Sequence, residues 1–355
     1  MDFKEEDYYS LHRILSYNAV WNFIIGARGL GKTFDAKRHV LRDSIKTGAQ
    51  FIYLRRTDVE IKGGAKEKWM DDILFEFKNF EFRINGNTLE WRRAKNKDEK
   101  ENNNEWHIGG YFLALSQSGG KKSIPYPNVR WIIFDEVFPD NLRFLSNEVT
   151  LFEEFYNTVD RTHDHTRVLL LSNAVSQANP YFSKFRIDIN DQQKKKRQFQ
   201  TYCDGFIGIE FADYAGFSAK VEQSRYGKFL RKYDPDYADY AISNKFLDDI
   251  NGLVEPFNPK LGYMFTLETE DNGTFGIWSK IGDSISYFVS RRVKKHAEYH
   301  YTLDYRKVNE QVIYVKKSDN VVANLLGAYR TGEVKFDTRQ CKADFMQVVG
   351  ELIGK

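Results

Sequence analysis

A short apolar stretch that leads directly into a glycine-rich loop constrains this chain more than any other feature. Residues 20–33 read VWNFIIGARGLGKT, so the pattern Gly-x-x-x-x-Gly-Lys-Thr begins at Gly26 and ends at Thr33. In this pattern the backbone N–H groups converge on phosphates, the lysine contacts the β and γ oxygens, and the threonine hydroxyl joins Mg²⁺. We therefore predict a site for ATP and Mg²⁺ that consists of Gly26, Ala27, Arg28, Gly29, Leu30, Gly31, Lys32 and Thr33.

The first half of the chain alternates short apolar strands with amphipathic helices. Strands are predicted at 21–25, 51–55, 110–115, 131–134 and 168–172, and helices at about 33–46, 66–77 and 148–160. Residues 80–93 have the pattern of a hairpin that turns at Asn85-Gly86-Asn87. Because such alternation is typical of parallel βαβ units, the predicted fold class is α/β, a P-loop NTPase with a parallel sheet flanked by helices.

The character of the chain changes after about residue 190. The run NDQQKKKRQFQ is polar and basic, which is typical of a domain edge, and a helix is predicted at 218–231. From residue 261 onward, three apolar segments separated by turns predict an antiparallel meander. We predict a P-loop ATPase domain in residues 1–197, a linker or helical region in 198–255, and a small α+β domain in 256–355.

Composition limits where such a protein can work. The chain has 355 residues, 41% of them hydrophobic, which is enough for two packed domains. Its two cysteines, Cys203 and Cys341, lie far apart, as expected in a reducing intracellular compartment. The N-terminus lacks an apolar signal segment and the apolar runs are too short to cross a bilayer, so we expect no membrane partner. The net charge of +3 does not indicate nucleic acid by itself, but basic residues occur in clusters.

Another apolar strand ends in two acidic residues. Residues 131–136 read WIIFDE, and in P-loop enzymes a carboxylate at the end of a strand beside the loop strand holds Mg²⁺. Asp135 is therefore the predicted metal ligand, and Glu136 is placed to polarise an attacking water. Acidic pairs at strand ends are common, and it is the combination with the loop that indicates hydrolysis of ATP. The pair also favours a motor-type ATPase over the many kinases and GTPases that lack the second acid.

Three further segments offer residues for phosphoryl transfer. Asn173 follows the strand VLLLS, where it either contacts the γ-phosphate or the attacking water, or caps a turn. Arg161 and Arg167 are candidates for a guanidinium that neutralises charge in a neighbouring subunit's site, although a surface ion pair is the commoner role of each. Lys122, in the loop SGGKKS, is a candidate for a γ-phosphate contact from a neighbouring subunit.

A basic segment after the second strand offers a contact with nucleic acid. The stretch RRTDVEIKGGAKEKW carries Lys62, Lys66 and Lys68 around a Gly-Gly turn. A flexible basic loop can contact the phosphates of double-stranded DNA without reading the bases. The alternative is a solvated loop followed by the first turn of a helix.

Four passages together resemble the DNA-packaging ATPases of small tailed phages of the phi29 type. They are IIGARGLGKT, WIIFDE, the helix NEV…NTVDR and LLLSNAVSQANPYF, and the resemblance extends over most of residues 20–185. The C-terminal half is similar only in size, in basic character and in its meander. The resemblance implies an additional-strand, conserved-glutamate (ASCE) P-loop domain in a homomeric ring, pentameric in this family. This ring sits on the portal (connector) protein of a procapsid in the host cytoplasm, where ATP hydrolysis drives double-stranded DNA inward.

The resemblance also implies roles for individual residues. By position, Lys32 and Thr33 match the phosphate and Mg²⁺ contacts, Asp135 the metal acid and Glu136 the catalytic glutamate. The remaining matches are to residues that act on a neighbouring subunit. Arg161 is the best match to the family's trans-acting arginine, and Arg167 is the second candidate. Lys122 is similar to the family's trans-acting lysine.

The resemblance further implies that residues 256–355 form an RNase H-like domain that has lost its nuclease residues and contacts a packaging RNA and the portal. Two other functions stay open: a large-terminase-type protein with an active C-terminal nuclease, and a nucleotide-dependent assembly factor that is not a motor. Two-metal cleavage requires several converging carboxylates. The meander offers only Glu268, Glu270, Asp271 and Asp283, which disfavours an active nuclease.

Overall fold

The computed structural model describes residues 8–62, 64, 66–95, 104–121, 125–139, 144–173, 179–235, 238, 253–269, 273–280, 286–295, 297–316, 318–330 and 333–354. The chain divides into two compact units. The first comprises residues 1–140, 144–174 and 187–245, and the second comprises residues 141–143, 175–186 and 246–355. Each unit has its own sheet and its own hydrophobic core.

The described helices are distributed over both units. In chain order they are α1 (His12–Leu15), α2 (Lys32–Thr47), α3 (Asp58–Lys62), α4 (Glu148–Asp160), α5 (Pro180–Lys184), α6 (Asn190–Lys194), α7 (Ala215–Gln223), α8 (Arg225–Tyr233), α9 (Asn320–Arg330) and α10 (Arg339–Gly354). Helices α5, α9 and α10 belong to the second unit. Across the described residues, none of the helices combines the length and the apolarity needed to span a bilayer.

The first unit is built on a nine-stranded sheet in the order β3-β4-β5-β2-β6-β7-β1-β9-β8. Its strands are β1 (Trp21–Gly26), β2 (Gln50–Arg55), β3 (Phe80–Asn85), β4 (Thr88–Arg93), β5 (His107–Ala114), β6 (Val129–Asp135), β7 (Arg167–Ser172), β8 (Phe199–Tyr202) and β9 (Ile207–Ala212). The six central strands are mutually parallel, and they lie in the order β5, β2, β6, β7, β1 and β9. Their carboxyl ends therefore meet at one edge, where ligands of open α/β sheets bind.

Most predicted elements of the first unit are confirmed, but the helix predicted at 66–77 is wrong. The N–H groups of Trp69 and Ile73 donate to carbonyls three residues earlier, and the segment ends in a 3₁₀ helix at Leu74–Glu76. Trp69 is 1% exposed and stacks on Phe51, with ring centroids 5.2 Å apart. Packing of this indole into the core therefore overrides the local preference for an α-helix.

Residues 198–255 were predicted to be a linker or helical region, and the first part of this range forms two strands of the first sheet. Strand β9 pairs with β1 along its whole length, and β8 pairs with β9. The acidic Glu210 makes this strand look polar in the sequence, but its buried carboxylate accepts a hydrogen bond from the Tyr9 hydroxyl at 2.8 Å. The helix predicted at 218–231 is divided into α7 and α8 at Ser224.

The second unit contains a six-stranded sheet in the order β14-β13-β10-β11-β12-β15. Its strands are β10 (Gly262–Glu268), β11 (Thr274–Lys280), β12 (Ser286–Ser290), β13 (His300–Thr302), β14 (Ile313–Tyr314) and β15 (Val334–Phe336). Strands β10 to β12 form the predicted antiparallel meander, and β13 and β14 add in parallel on the other side of β10. Phe275, Phe336 and Phe345 lie at the centre of its core.

Candidate active site

The glycine-rich loop connects the carboxyl end of β1 to the first residue of α2. Gly29 and Gly31 have φ angles of +80° and +95°, a region that residues with a Cβ rarely adopt. A side chain at Gly26 would meet Ala212 at 3.0 Å and Leu30 at 3.1 Å. These glycines allow the tight turn that brings backbone N–H groups together at the start of a helix.

The other members of the loop divide between the core and the solvent. Ala27 and Leu30 are buried in the main hydrophobic cluster, whereas Arg28 is exposed. The two apolar side chains therefore anchor the loop in the hydrophobic core, and the opposite side of the loop faces the solvent, where a ligand can bind.

The Lys32 side chain is buried within its own loop. It is 7% exposed, and its ammonium donates to the carbonyl oxygens of Gly26 at 2.7 Å and Ala27 at 2.8 Å. The Oδ1 atom of Asn173 lies 3.4 Å from the same ammonium. Burial lowers the pKa of Lys32 to about 8, although the nearby Asp135 raises it. The structure thus brings Asn173 to the loop, 141 residues away in sequence.

The lowered pKa of Lys32 predicts how ATP binding depends on pH. Phosphate oxygens favour the charged amine, so binding returns the pKa toward that of a free lysine. Below about pH 8 the free protein is already protonated and its affinity for ATP should be constant. Above that pH, binding must take up a proton, and we expect the affinity to fall by up to about tenfold per pH unit.

Titration calorimetry at about pH 8.5, in buffers of different ionisation enthalpy, measures this proton uptake. The control is Lys32→Arg, whose guanidinium stays charged over the whole range and should bind ATP without proton uptake. Equal uptake by the two proteins would contradict the assignment to Lys32.

Asp135 ends β6 and accepts hydrogen bonds from two hydroxyls. Its Oδ1 lies 3.2 Å from Oγ1 of Thr33, and its Oδ2 lies 2.7 Å from the hydroxyl of Tyr53. Carboxylate and hydroxyl oxygens are ligands that Mg²⁺ prefers, so Thr33 and Asp135 fit the predicted metal site. Tyr53, on β2, was not predicted from the sequence. Burial, together with the charge of Asp135, raises the pKa of Tyr53 well above its usual value, which keeps it a neutral donor.

Glu136 is held by a second residue that the sequence did not predict. Its side chain is 59% exposed, and its Oε2 accepts a hydrogen bond from Nη2 of Arg55 at 2.6 Å. Nη1 of Arg55 lies 3.7 Å from Oδ2 of Asp135, and its Nε donates to Glu60 at 3.0 Å. The guanidinium of Arg55 therefore orients both acids that the sequence predicted for the site.

Arg161 and Arg167 lie at the opposite edge of the sheet from the loop. Arg161 follows α4, and its Nε donates to the carbonyl of Thr158 at 3.2 Å. Arg167 begins β7, and its Nη1 donates to the carbonyl of Asp164 at 3.4 Å. Because β7 is parallel to β1, its first residue lies about 17 Å from the edge that carries the loop. Neither arginine reaches the loop of its own chain, and Lys122 lies outside the described residues.

The three lysines predicted to contact DNA differ in their surroundings. Lys62 forms an ion pair with Asp58, and the ammonium of Lys66 donates to the carbonyl of Gly86 at 2.9 Å. Lys68 is exposed. A polyanion that binds Lys62 or Lys66 would have to compete with these contacts. Among the contacts described here, none would have to be displaced at Lys68.

Known proteins are similar to this chain over most of its length. Residues 3–350 match the model of the family described as podovirus DNA encapsidation protein (Gp16). The DNA packaging protein of Bacillus phage B103 is 31% identical over 332 residues, which cover 92% of this chain and 95% of that protein.

Solved structures extend the likeness to the fold. A chain in the bacteriophage phi29 viral genome packaging motor assembly has a TM-score of 0.68 and 27% identity, with 98% of both chains covered. The N-terminal domain of the DNA packaging ATPase from bacteriophage phi29 has a TM-score of 0.50 and 33% identity over 59% of this chain and 98% of that domain. With a family model that spans nearly the whole sequence, the chain belongs to the podovirus DNA encapsidation protein (Gp16) family.

Proposed function

We propose that this protein is the ATPase motor of viral DNA packaging, which hydrolyses ATP and moves double-stranded DNA into a preformed procapsid. One observation carries the proposal: Lys32, Asp135 and Glu136 meet at one edge of the sheet in a member of a DNA encapsidation family. A phosphate-binding loop beside a metal-binding carboxylate and an adjacent glutamate is suited to ATP hydrolysis. Membership of a DNA encapsidation family supports DNA packaging as the process that hydrolysis drives.

Each residue of the pocket has a proposed task. The loop N–H groups and Lys32 bind the β- and γ-phosphates, and Thr33 and Asp135 hold Mg²⁺. When bound, Mg²⁺ neutralises charge that develops on the phosphate oxygens. Glu136 orients the attacking water and accepts its proton. Asn173, 3.4 Å from the Lys32 ammonium, contacts the γ-phosphate or that water.

The proposed assembly is a homomeric, pentameric ring in the host cytoplasm, on the portal vertex, with the portal protein and a packaging RNA as further partners. The family membership supports this arrangement. The distance of Arg161 and Arg167 from their own loop is consistent with it, since a phosphate contact from that edge would have to be in another subunit's site. We assign the trans-acting role to Arg161 before Arg167, and propose Lys122 as the trans-acting lysine. For DNA we propose contacts from Lys62, Lys66 and Lys68.

We also propose that the second unit is an RNase H-like domain without nuclease activity. The support is its topology, in which an antiparallel meander is extended in parallel from its first strand, as in RNase H-like sheets. At the end of β10, the carboxylate of Glu268 lies 3.2 Å from the ammonium of Lys307 and 3.3 Å from the imidazole of His300. Each oxygen of this carboxylate therefore already has a nitrogen neighbour, which disfavours its use as a ligand of a catalytic metal ion. Over the described part of the chain, no group of three or more His, Cys, Asp or Glu residues could hold a metal ion, and Glu270, Asp271 and Asp283 lie outside that part.

Stimulation of ATP turnover by DNA tests the proposed function. We expect long linear double-stranded DNA to raise the steady-state rate several-fold, and duplexes of about ten base pairs to have little effect. The reason is that only a long polyanion engages several subunits at once. A phosphate-release assay measures the rate, and a gel run on the same samples reports whether the DNA stays intact. Turnover that ignores DNA would favour an assembly factor, and cleaved DNA would favour an active nuclease.

A further inference from the structure

Glu136 has a backbone conformation that its surroundings must maintain. Its φ angle is +57°, in the left-handed region that is unfavourable for a residue with a Cβ. Such a conformation persists only where neighbouring groups over-determine it. On the amino side, the N–H of Glu136 donates to Oδ1 of Asp135 at 3.2 Å.

On the carboxyl side, the backbone is held by a residue without a role in the proposed mechanism so far. Nη1 of Arg56 donates to the carbonyl of Glu136 at 3.1 Å, and Nη2 donates to the carbonyl of Val137 at 2.7 Å. One planar guanidinium thus binds two successive peptide groups, which fixes the direction in which the chain leaves β6.

The guanidinium of Arg56 is itself anchored in the interior. Its Nε and Nη2 donate to the two carboxylate oxygens of Glu148, at 2.6 and 2.9 Å. That carboxylate is fully buried and also accepts the N–H of Leu145 at 2.9 Å. The rings of Phe134 and Phe144 lie 5.7 and 5.3 Å from the guanidinium carbon. All three nitrogens of Arg56 are therefore in hydrogen bonds, and the group has a single place and orientation.

We propose that Arg56, anchored by Glu148, is a positioning residue for ATP hydrolysis that holds the backbone of Glu136 and so aims its carboxylate. This inference rests on the proposed role of Glu136. A buried ion pair that only joined β2 to α4 would stabilise the fold but would not need to bind the carbonyl of Glu136. The two possibilities differ in outcome, because loss of a purely structural pair lowers stability and not the turnover of the protein that remains folded.

The direct test is Arg56→Lys, which keeps the charge but loses the planar fork. We expect kcat to fall about a hundredfold while KM for ATP stays within about twofold, since small displacements of a catalytic group cost turnover more than binding. The matched control is Arg83→Lys, which alters a second arginine–glutamate pair, with Glu90 at 2.7 Å, on the β3–β4 hairpin. Its kcat should equal that of the wild type.

A double variant covers the case in which a lone change in the buried pair unfolds the protein. Arg56→Met with Glu148→Gln removes both charges together and retains an acceptor for the N–H of Leu145. A buried pair replaced as a unit leaves no unpaired charge, so we expect this variant to fold, as judged by circular dichroism and thermal unfolding. It should bind a fluorescent ATP analogue like the wild type and show the same fall in kcat of about a hundredfold.

A double-mutant cycle with Glu136→Gln shows whether the effect passes through the glutamate. In that background, the double variant should lower the residual kcat by less than about twofold. A folded double variant with wild-type kcat would overturn the inference, as would a full additional loss in the Glu136→Gln background. Wild-type turnover by Glu136→Gln alone is a separate result, because it would remove the proposed role of Glu136 itself.

Discussion

Replacing Glu136 with glutamine should lower kcat for ATP about a thousandfold while the dissociation constant of ATP stays within about threefold. An amide cannot take a proton from water at neutral pH, but it has the shape of the carboxylate. Its oxygen can still accept the hydrogen bond from Arg55, which spans 2.6 Å in the wild type. Phosphate release in the presence of long DNA measures turnover, and a fluorescent ATP analogue measures binding.

The control for this variant is Glu81→Gln, on the β3–β4 hairpin. Glu81 also accepts a hydrogen bond from an arginine, Nε of Arg92 at 2.9 Å, but it lies away from the loop. Its turnover should stay within about twofold of the wild type. If Glu136→Gln bound ATP and hydrolysed it at the wild-type rate, hydrolysis would use another base and the proposed mechanism would be wrong.

Replacing Arg161 with alanine should have an effect of similar size for a different reason. A guanidinium delivered from a neighbouring subunit neutralises charge on the transferred phosphoryl group, and its loss costs about a thousandfold or more in kcat. Within the described residues, the side chain of Arg161 donates through Nε to the carbonyl of Thr158, and this contact does not engage the two terminal nitrogens that a neighbouring subunit's phosphate would meet. We expect Arg167→Ala to lower kcat far less, because Arg161 has the trans-acting role in the proposed ring.

Mixing two inactive variants shows in which subunit Arg161 acts. A subunit with Arg161→Ala has an intact pocket, and a subunit with Glu136→Gln retains its arginine. In a mixed ring, the pocket of the first can be completed by the arginine of the second, so turnover should return to a substantial fraction of the wild-type rate. If the arginine acted within its own chain, every subunit would lack one component and the mixture would stay inactive.

The parts of the site that could be predicted are those whose chemistry is local in the sequence. Lys32 and Thr33 follow from a continuous pattern, and α2 begins where that pattern ends. The placement of Asp135 and Glu136 at the end of a strand was predictable because an apolar run ends directly in the acids. The hairpin at 80–93 follows from its Asn-Gly turn.

The residues that were missed depend on which strands are neighbours. Tyr53, Arg55 and Arg56 contact partners about 80 residues away, and only the pairing of β2 with β6 brings them to the acids. Polar residues at the end of β2 are a signal, but only once the strand order is known, and periodicity alone does not reveal that order. Likewise, the tertiary contact of Trp69 with the core is what prevents a helix at 66–77.

The edges of the first sheet bear on how subunits can associate. The outermost strands, β3 and β8, run antiparallel to their neighbours, and β8 is only four residues long. Ion pairs of Arg83 with Glu90 and of Arg92 with Glu81 line the other edge. Short, charged edges oppose strand pairing between chains. In the proposed ring, these two edges therefore disfavour a continuous sheet between subunits, so that any contact between subunits at this sheet would be made by side chains and loops.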